Sequence, residues 1–471
     1  MKAPRAARAL RRLPYTNGVN TPGVRTLDTI AAIATAPGRG AVGVLRVSGS
    51  DVPRIARAVL GAVPEARRAR LARFLDAHGA GIDEGIALYF PAPASFTGED
   101  VLELQCHGGV LVMDLLLRRL LELGARPARA GEFSERAFLN GKMDIVQAEA
   151  VADLIEAGTE AAARAAVRSM QGEFSSRIAA LVVLITDLRV HVEAAIDFPD
   201  EEIDFLAAPA ITSRLERVVE AFDSIQAAAR QGALLREGLT VVIAGKPNAG
   251  KSSLLNALTG EDIAIVTPSP GTTRDVLRQH LHLDGLPLNV VDTAGLRRAD
   301  DAAEAEGIRR ARGEMRRADR ICYVLDDSAP REGDAPGAQD LPSGVPVTVI
   351  HNKIDLTGAA ARIDEEASPP RIYLSARTGS GIDLLRAHLK SRVGYLGVEN
   401  GVFSARRRHL DALQRARALV DSAARASGES RGFELFAEDL RLAQAALGEI
   451  TGEVTSEDLL GAIFGSFCIG K

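Results

Sequence analysis

The spacing of apolar residues changes character along the chain, and each change marks a structural boundary. Residues 27–143 carry short β-like runs, Thr29–Ala34, Val42–Val47 and Val101–Gln105, between Gly/Pro turns, with one amphipathic segment at Val110–Leu123. That pattern predicts a small α+β domain. From Asp144 to Arg236 the apolar positions fall three and four apart in alanine-rich sequence nearly free of Gly and Pro, a helical bundle interrupted at Phe198-Pro199. Residues 237–395 alternate strand, loop and helix, as a parallel sheet with crossover helices requires. Helical periodicity returns in 396–471, with one apolar stripe on Arg408–Ala424 and another on Glu434–Leu447. The expected fold class is multidomain, α/β plus α: an N-terminal α+β domain (27–143), an all-α helical domain in two parts (144–236 and 396–471), and a parallel-sheet α/β domain (237–395) inserted between those parts.

Composition narrows the function classes. At 471 residues the chain exceeds one ordinary core, and 46% hydrophobic with 25% charged residues is globular rather than disordered. No run reaches the length of uncharged apolar sequence that a membrane-spanning helix needs; the greasiest, Ile178–Leu188, contains Asp187. A net charge of −5 offers no general attraction to a polyanion. Cys106, Cys322 and Cys468 are too scattered for a disulfide framework or a zinc site, which favours a reducing compartment. Residues 1–26 hold Arg5, Arg8, Arg11, Arg12 and Arg25 without an acid; this is compatible with an organelle presequence, and an unstructured extension or an over-long gene start is the plainer reading. Only seven of the 57 basic residues are lysine, so a lysine here marks a place where a compact ammonium is wanted.

Three of those lysines sit in nucleotide motifs. The apolar run Thr240–Ala244 leads into Gly245-Lys246-Pro247-Asn248-Ala249-Gly250-Lys251-Ser252-Ser253, a P-loop whose backbone N–H groups would wrap a β-phosphate while Lys251 reaches the β- and γ-oxygens and Ser252 ligates Mg2+. A hairpin, Leu277–Leu283 and Leu286–Val291 joined by Asp284-Gly285, ends in Asp292-Thr293-Ala294-Gly295, where the carboxylate holds magnesium through water and the Gly295 N–H senses the γ-phosphate. Upstream lies the switch segment Thr267-Pro268-Ser269-Pro270-Gly271-Thr272-Thr273, with Thr273 favoured as the second Mg2+ ligand. The strand Val345–His351 delivers Asn352-Lys353-Ile354-Asp355; Asp355 can accept from guanine N1–H and N2–H2, a pair adenine cannot offer. Ser375-Ala376-Arg377, after the strand Arg371–Leu374, completes the base pocket. These motifs together imply GTP hydrolysis. Leu296 occupies the place where many such enzymes keep a water-orienting glutamine, leaving Asp300, Asp301, Glu304 and Glu306 as the nearest acids.

The motifs 245–253, Pro-Gly-Thr-Thr-Arg-Asp at 270–275, Asp-Thr-Ala-Gly-Leu-Arg at 292–297 and the terminal Phe467-Cys468-Ile469-Gly470-Lys471 resemble the MnmE/TrmE family of tRNA modification GTPases. So do Ala-Pro-Gly-Arg-Gly at 36–40, Ser-Phe-Thr-Gly-Glu-Asp at 95–100 and Gly-Glu-Phe-Ser-Glu-Arg-Ala-Phe-Leu-Asn at 131–140, and the likeness spans 27–471. The resemblance implies a tetrahydrofolate-binding N-terminal domain, a helical domain and an inserted G domain that dimerises when active. It implies a K+ ion beside the phosphates, held by Asn248 with Thr267, Ser269 and Thr272, and a water-positioning glutamate twelve residues after Asp292, which selects Glu304. For 5-formyl- or 5,10-methylene-tetrahydrofolate it implies Arg46, Glu103 and Lys142, joined by Lys471 from a partner domain. Cys468 would be a reactive thiol in tRNA modification; the bland alternative is a small apolar residue in a docked tail, and Gly470-Lys471 does not fit lipidation. The implied partners are a second copy of the chain, an MnmG/GidA-type flavoprotein in a heterotetramer, and tRNA, in a bacterial cytoplasm, for the addition of a carboxymethylaminomethyl group at C5 of the wobble uridine. The rival is a regulatory or ribosome-assembly GTPase, which an RNA-binding module after the G domain would mark; here helix and Phe467–Lys471 follow. The clusters Arg67–Arg73, Arg309–Arg320 and Arg406–Arg408 could touch RNA phosphates, but solvated surface is the expectation.

Overall fold

A computed structural model describes residues 28–197, 208–259, 278–292, 312–328, 341–395, 397, 401–426, 432–453 and 457–470. The switch segment Thr267–Thr273, Thr293 to Gly295, Glu304, Lys471 and the extension 1–26 lie outside them. The chain divides into two compact units, one built from the N-terminal domain through Lys142 with the tail from Phe464, the other from Met143–Ile463.

In the first unit six strands form one sheet in the order β3-β4-β5-β2-β1-β6. They are β1 (Ile30–Ile33), β2 (Val42–Ser48), β3 (Arg70–Leu75), β4 (Gly81–Phe90), β5 (Val101–His107) and β6 (Arg126–Pro127). All pairings are antiparallel except β1 with β6. Helices α1 (Val52–Leu60) and α2 (Val110–Glu122) bury Ile55, Val59, Leu116 and Leu120 with Leu45, Val47 and Leu104 of the sheet. Helix α3 (Glu132–Leu139) follows β6. The tail is a structural part of this unit: Ile469 bridges Ala130, Gly131 N–H donates to Cys468 O at 3.4 Å, and Phe464 meets the Phe138 ring. Gly470 sits at φ +95, where a Cβ would lie 2.6 Å from Ile33 O, so only glycine fits.

In the second unit, helices α4 (Ile145–Glu156), α5 (Glu160–Met170), α6 (Glu173–Asp197) and α7 (Ala208–Glu237) precede the α/β lobe, and α11 (Arg407–Ala426), α12 (Gly432–Thr451) and α13 (Glu457–Gly465) follow it. Asp144 starts α4 with a reciprocal capping box to Gln147. The bundle core interleaves both halves, with Phe174, Ile185 and Phe222 against Leu413, Phe436 and Leu447, and Phe174 stacks on Phe403 at 4.3 Å.

The lobe's seven strands run β12-β13-β11-β10-β7-β9-β8. They are β7 (Leu239–Gly245), β8 (Arg278–Leu283), β9 (Leu286–Asp292), β10 (Arg320–Asp326), β11 (Val347–Asn352), β12 (Arg362–Asp364) and β13 (Arg371–Tyr373), with helices α8 (Lys251–Thr259), α9 (Ile354–Thr357) and α10 (Ile382–Arg392). The interior strands are parallel; β8 and β12 are antiparallel edges. Asp284 and Gly285, at φ +52 and +90, make the tight turn between β8 and β9 that their residue types favour.

Both chain crossings into the lobe are fastened by two carboxylates one turn apart on α4. Asp153 accepts from Arg236 at 2.8 Å on the inward crossing and from Ser404 at 2.6 Å and Arg406 at 2.7 Å on the outward one. Glu149 takes both prongs of the Arg408 fork at 2.8 Å and lies 3.0 Å from His409 Nε2. Burial favours the neutral acid, but His409 and Arg408 outweigh it and hold Glu149 well below the usual carboxylate range. These contacts correct the expectation for Arg406 and Arg408, which are consumed in internal pairs rather than solvated. Arg320 likewise is buried at the start of β10 and donates to Thr348 Oγ1 at 3.0 Å.

Replacing Asp153 with Ala strands two guanidinium groups beside a buried hydroxyl, so the Asp153→Ala protein is expected to lose about 3–5 kcal/mol in the denaturant transition of the helical bundle.

Candidate functional site

The lobe's switch point lies at the C-terminal end of β7, between β9 and β10, where an open parallel sheet leaves a crevice. The P-loop closes that end. Lys251, the first residue of α8, is buried and donates from Nζ to Gly245 O at 2.9 Å and Lys246 O at 2.8 Å, so the loop curls around its ammonium. Asn248 stands at φ +62 on the exposed rim. Asp292 ends β9 in register opposite Ile243 of β7, which brings that end of the strand beside the loop. Ser252 and Ser253 are exposed in the first turn of α8, where helix N–H groups favour an anion.

The base-recognition motifs are tied directly to this loop. Asn352 donates from Nδ2 to Ala249 O at 2.9 Å and accepts the Ala376 N–H on Oδ1 at 2.9 Å, joining three motifs through one amide. Gly250, at φ +92, is where the approach is tightest: a Cβ there would come within 2.2 Å of Asn352 Nδ2. Asp355 accepts from Ser375 Oγ at 2.6 Å on one oxygen and pairs with Arg377 at 3.0 Å on the other. Its carboxylate plane is thereby fixed while each oxygen keeps a lone pair for the two donors of a guanine edge. Lys353, at φ +70, pairs with Asp326 at the end of β10.

Of the three described folate candidates, two are joined. Arg46 and Glu103 are cross-strand partners on β2 and β5 and form an ion pair at 2.8 Å. The Arg46 guanidinium also lies 5.5 and 5.7 Å from the Phe96 and Phe133 ring centres and donates to Gly470 O at 3.4 Å. Lys142 donates instead to Pro93 O at 3.0 Å and is not joined to that pair by any contact among the described residues. Cys468 is exposed; Cys106 is buried and donates to Gly43 O, and burial raises its thiol, as it raises Cys322 to about 12.

The motifs 95–100 and 131–136 are bound to each other, which the sequence does not reveal. Arg136 is almost fully buried and spans Glu99 at 3.0 Å and Glu132 at 3.1 Å, while Ser48 donates to Glu99 at 2.7 Å. Burial works to raise Glu132, but hydrogen bonds from Arg126, the Arg129 N–H and Arg136 win and set its pKa at about 2, against an ordinary 4.5.

A P-loop at the end of a parallel sheet, with the Asn352-Lys353-Ile354-Asp355 motif tied to it, defines the class of P-loop nucleotide-binding proteins. The chain belongs to the MnmE family of tRNA modification GTPases: the family description "MnmE helical domain" matches residues 145–468, and "GTP-binding protein TrmE N-terminus" matches 29–142. It is similar to the tRNA modification GTPase MnmE of Methylococcus capsulatus, 59% identical over 444 residues, 94% of this chain and 99% of that protein. The same protein of Proteus mirabilis is 55% identical over 454 residues, 95% of this chain and 100% of that one. Among solved structures, the G domain of the T. maritima FeoB iron transporter aligns at 24% identity, with a TM-score of 0.26, over 33% of this chain and 98% of its own. Membership of the MnmE family makes this chain a GTPase.

Two outcomes follow from the geometry. Gly250→Ala should abolish GDP binding in a fluorescent-nucleotide titration, because the new methyl displaces Asn352. Glu132 has a folded-state pKa below its unfolded one, so its stabilisation is present above about pH 4.5 and lost as pH falls toward about 2. The Glu132→Gln protein should therefore show a flatter melting temperature than the parent over that window.

Proposed function

We propose that this enzyme couples GTP hydrolysis to addition of a carboxymethylaminomethyl group at C5 of the wobble uridine of certain tRNAs, in the cytoplasm, together with an MnmG/GidA-type flavoprotein. The observation that carries the reading is the pairing, in one chain of the MnmE family, of a guanine-selective P-loop lobe with a separate polar site at Arg46 and Glu103 that its own tail borders. GTP turnover is then the timing device, and the one-carbon chemistry belongs to the second site.

The donor sets suit the expected ions. Asn248 and Ser252 present exposed amide and hydroxyl oxygens at the P-loop, ligands fitted to hard cations; no cluster of His, Cys, Asp or Glu able to hold a metal occurs among the described residues. Ser252 and Thr273 would hold Mg2+, and Asn248, Thr267, Ser269 and Thr272 would hold K+, which supplies positive charge where the bond between β- and γ-phosphate breaks. Lys251 binds the phosphate oxygens, Glu304 orients the attacking water in place of the residue lost at Leu296, and dimerisation of G domains completes the site. For the folate, Glu103 suits the N–H edge of a pterin and Arg46 and Lys142 suit carboxylates, with Lys471 as a further cation and Cys468 as the exposed thiol. Among the described residues no helix is long and apolar enough to cross a membrane.

GTP turnover should be faster in K+ than in Na+ and should rise with protein concentration; equal rates in both salts would remove the potassium role. Mass spectrometry of tRNA nucleosides from cells lacking the protein should show the wobble uridine without its C5 substituent, and an unchanged nucleoside would end this reading.

A further inference from the structure

The guanine-reading loop is held from beneath by two consecutive carboxylates at the end of β10 that no nucleotide motif contains. Asp326 and Asn352 are register partners on the adjacent parallel strands β10 and β11, so the residues that follow each strand emerge side by side. Asp326 divides its oxygens. Oδ1 accepts the Ser328 N–H at 3.0 Å and the Ser328 hydroxyl at 2.6 Å, and Oδ2 takes the Lys353 ammonium. Asp327 does the same on the other side: its N–H donates to Asn352 O at 2.8 Å, Oδ1 lies 3.2 Å from His351 Nδ1, and Oδ2 accepts from Thr357 Oγ1 at 3.2 Å. His351 is in turn fixed by stacking on Tyr373, 4.4 Å between ring centres at 15°.

We propose that Asp326 and Asp327 are positioning residues for base recognition: together they brace residues 351–357 so that Lys353 and Asp355 are held in the geometry that reads guanine. The brace reaches the loop at four points, His351, Asn352, Lys353 and Thr357, which flank Asp355 on both sides. Lys353 needs such an anchor because its backbone is left-handed at φ +70, a conformation that residues with a Cβ rarely adopt and that must be held by its surroundings. The anchor is also electrostatic. The ammonium that would lie along the base is matched by a carboxylate whose other oxygen is already committed to Ser328, so the pair has one geometry rather than several.

The inference rests on Asp355 as the acceptor of guanine N1–H and N2–H2, and the test separates the two. Dissociation constants of GDP and inosine diphosphate, which lacks the 2-amino group, are measured on the full-length protein and on Asp326→Asn and Thr357→Val. In the parent, GDP binds more tightly than the inosine nucleotide. Loss of one charge-assisted hydrogen bond predicts ~tenfold weaker GDP binding by Asp326→Asn. Inosine diphosphate binding falls less, so the preference for guanine shrinks, while the melting temperature of the nucleotide-free protein is unchanged. Thr357→Val, on the exposed side of the loop, moves both constants in the same sense by a smaller factor and serves if Asp326→Asn does not fold. A parent preference retained intact in both variants, or equal weakening of the two nucleotides, overturns the brace. A parent with no preference overturns the reading of Asp355 and the brace with it.

Discussion

The arrangement of the second unit depends on two buried acids on one helix. An inserted domain meets its host at two chain crossings, and unless both are fixed the lobe pivots freely. Here Asp153 binds Arg236 on the way in and Ser404 and Arg406 on the way out, and Glu149, one turn earlier, binds Arg408. Because both carboxylates are almost sealed from water, removing a partner leaves a buried charge uncompensated, which makes the set cooperative. A single capped helix thereby sets where the nucleotide lobe stands with respect to the bundle.

The sequence revealed the nucleotide lobe most clearly. Strand periodicity located β7, the β8–β9 hairpin, β11 and β13 to within two residues, because each is a short apolar run that ends in a motif with its own backbone demand: glycine at Gly250, a type I′ turn at Asp284-Gly285. The grouping of Asn352, Asp355 and Ser375 was legible for the same reason, since each stands at a fixed distance from a strand end. The strands β3 and β4 were not legible. Their charged and apolar residues do not alternate cleanly, as at Arg70–Leu75 with its two arginines, which reads as a surface cluster until a partner strand is known.

The arginines misled for a related reason. Arg406 and Arg408 occupy a basic run, and a run of like charge ordinarily faces water. Only the three-dimensional path shows that Glu149 and Asp153, some 250 positions earlier, come to meet them; the separations are 253 for Arg406 with Asp153 and 259 for Arg408 with Glu149. The brace at Asp326 and Asp327 was hidden differently. The two acids belong to no motif, and of the residues they touch only Asn352 and Lys353 do.

Arg46 donates to the carbonyl of Gly470 across 424 positions of sequence, and Ile469 completes a bridge to Ala130. The N-terminal unit therefore contains a piece that is synthesised only after the whole of the intervening unit. Loop closure over so long a span is entropically costly, so the tail is expected to be the last part of the unit to dock. Docking seats Gly470 against Ile33 and places Cys468 at the surface. In temporal terms the polar pair Arg46 and Glu103 is late-maturing: a nascent chain acquires its P-loop lobe before the tail that borders this pair is made.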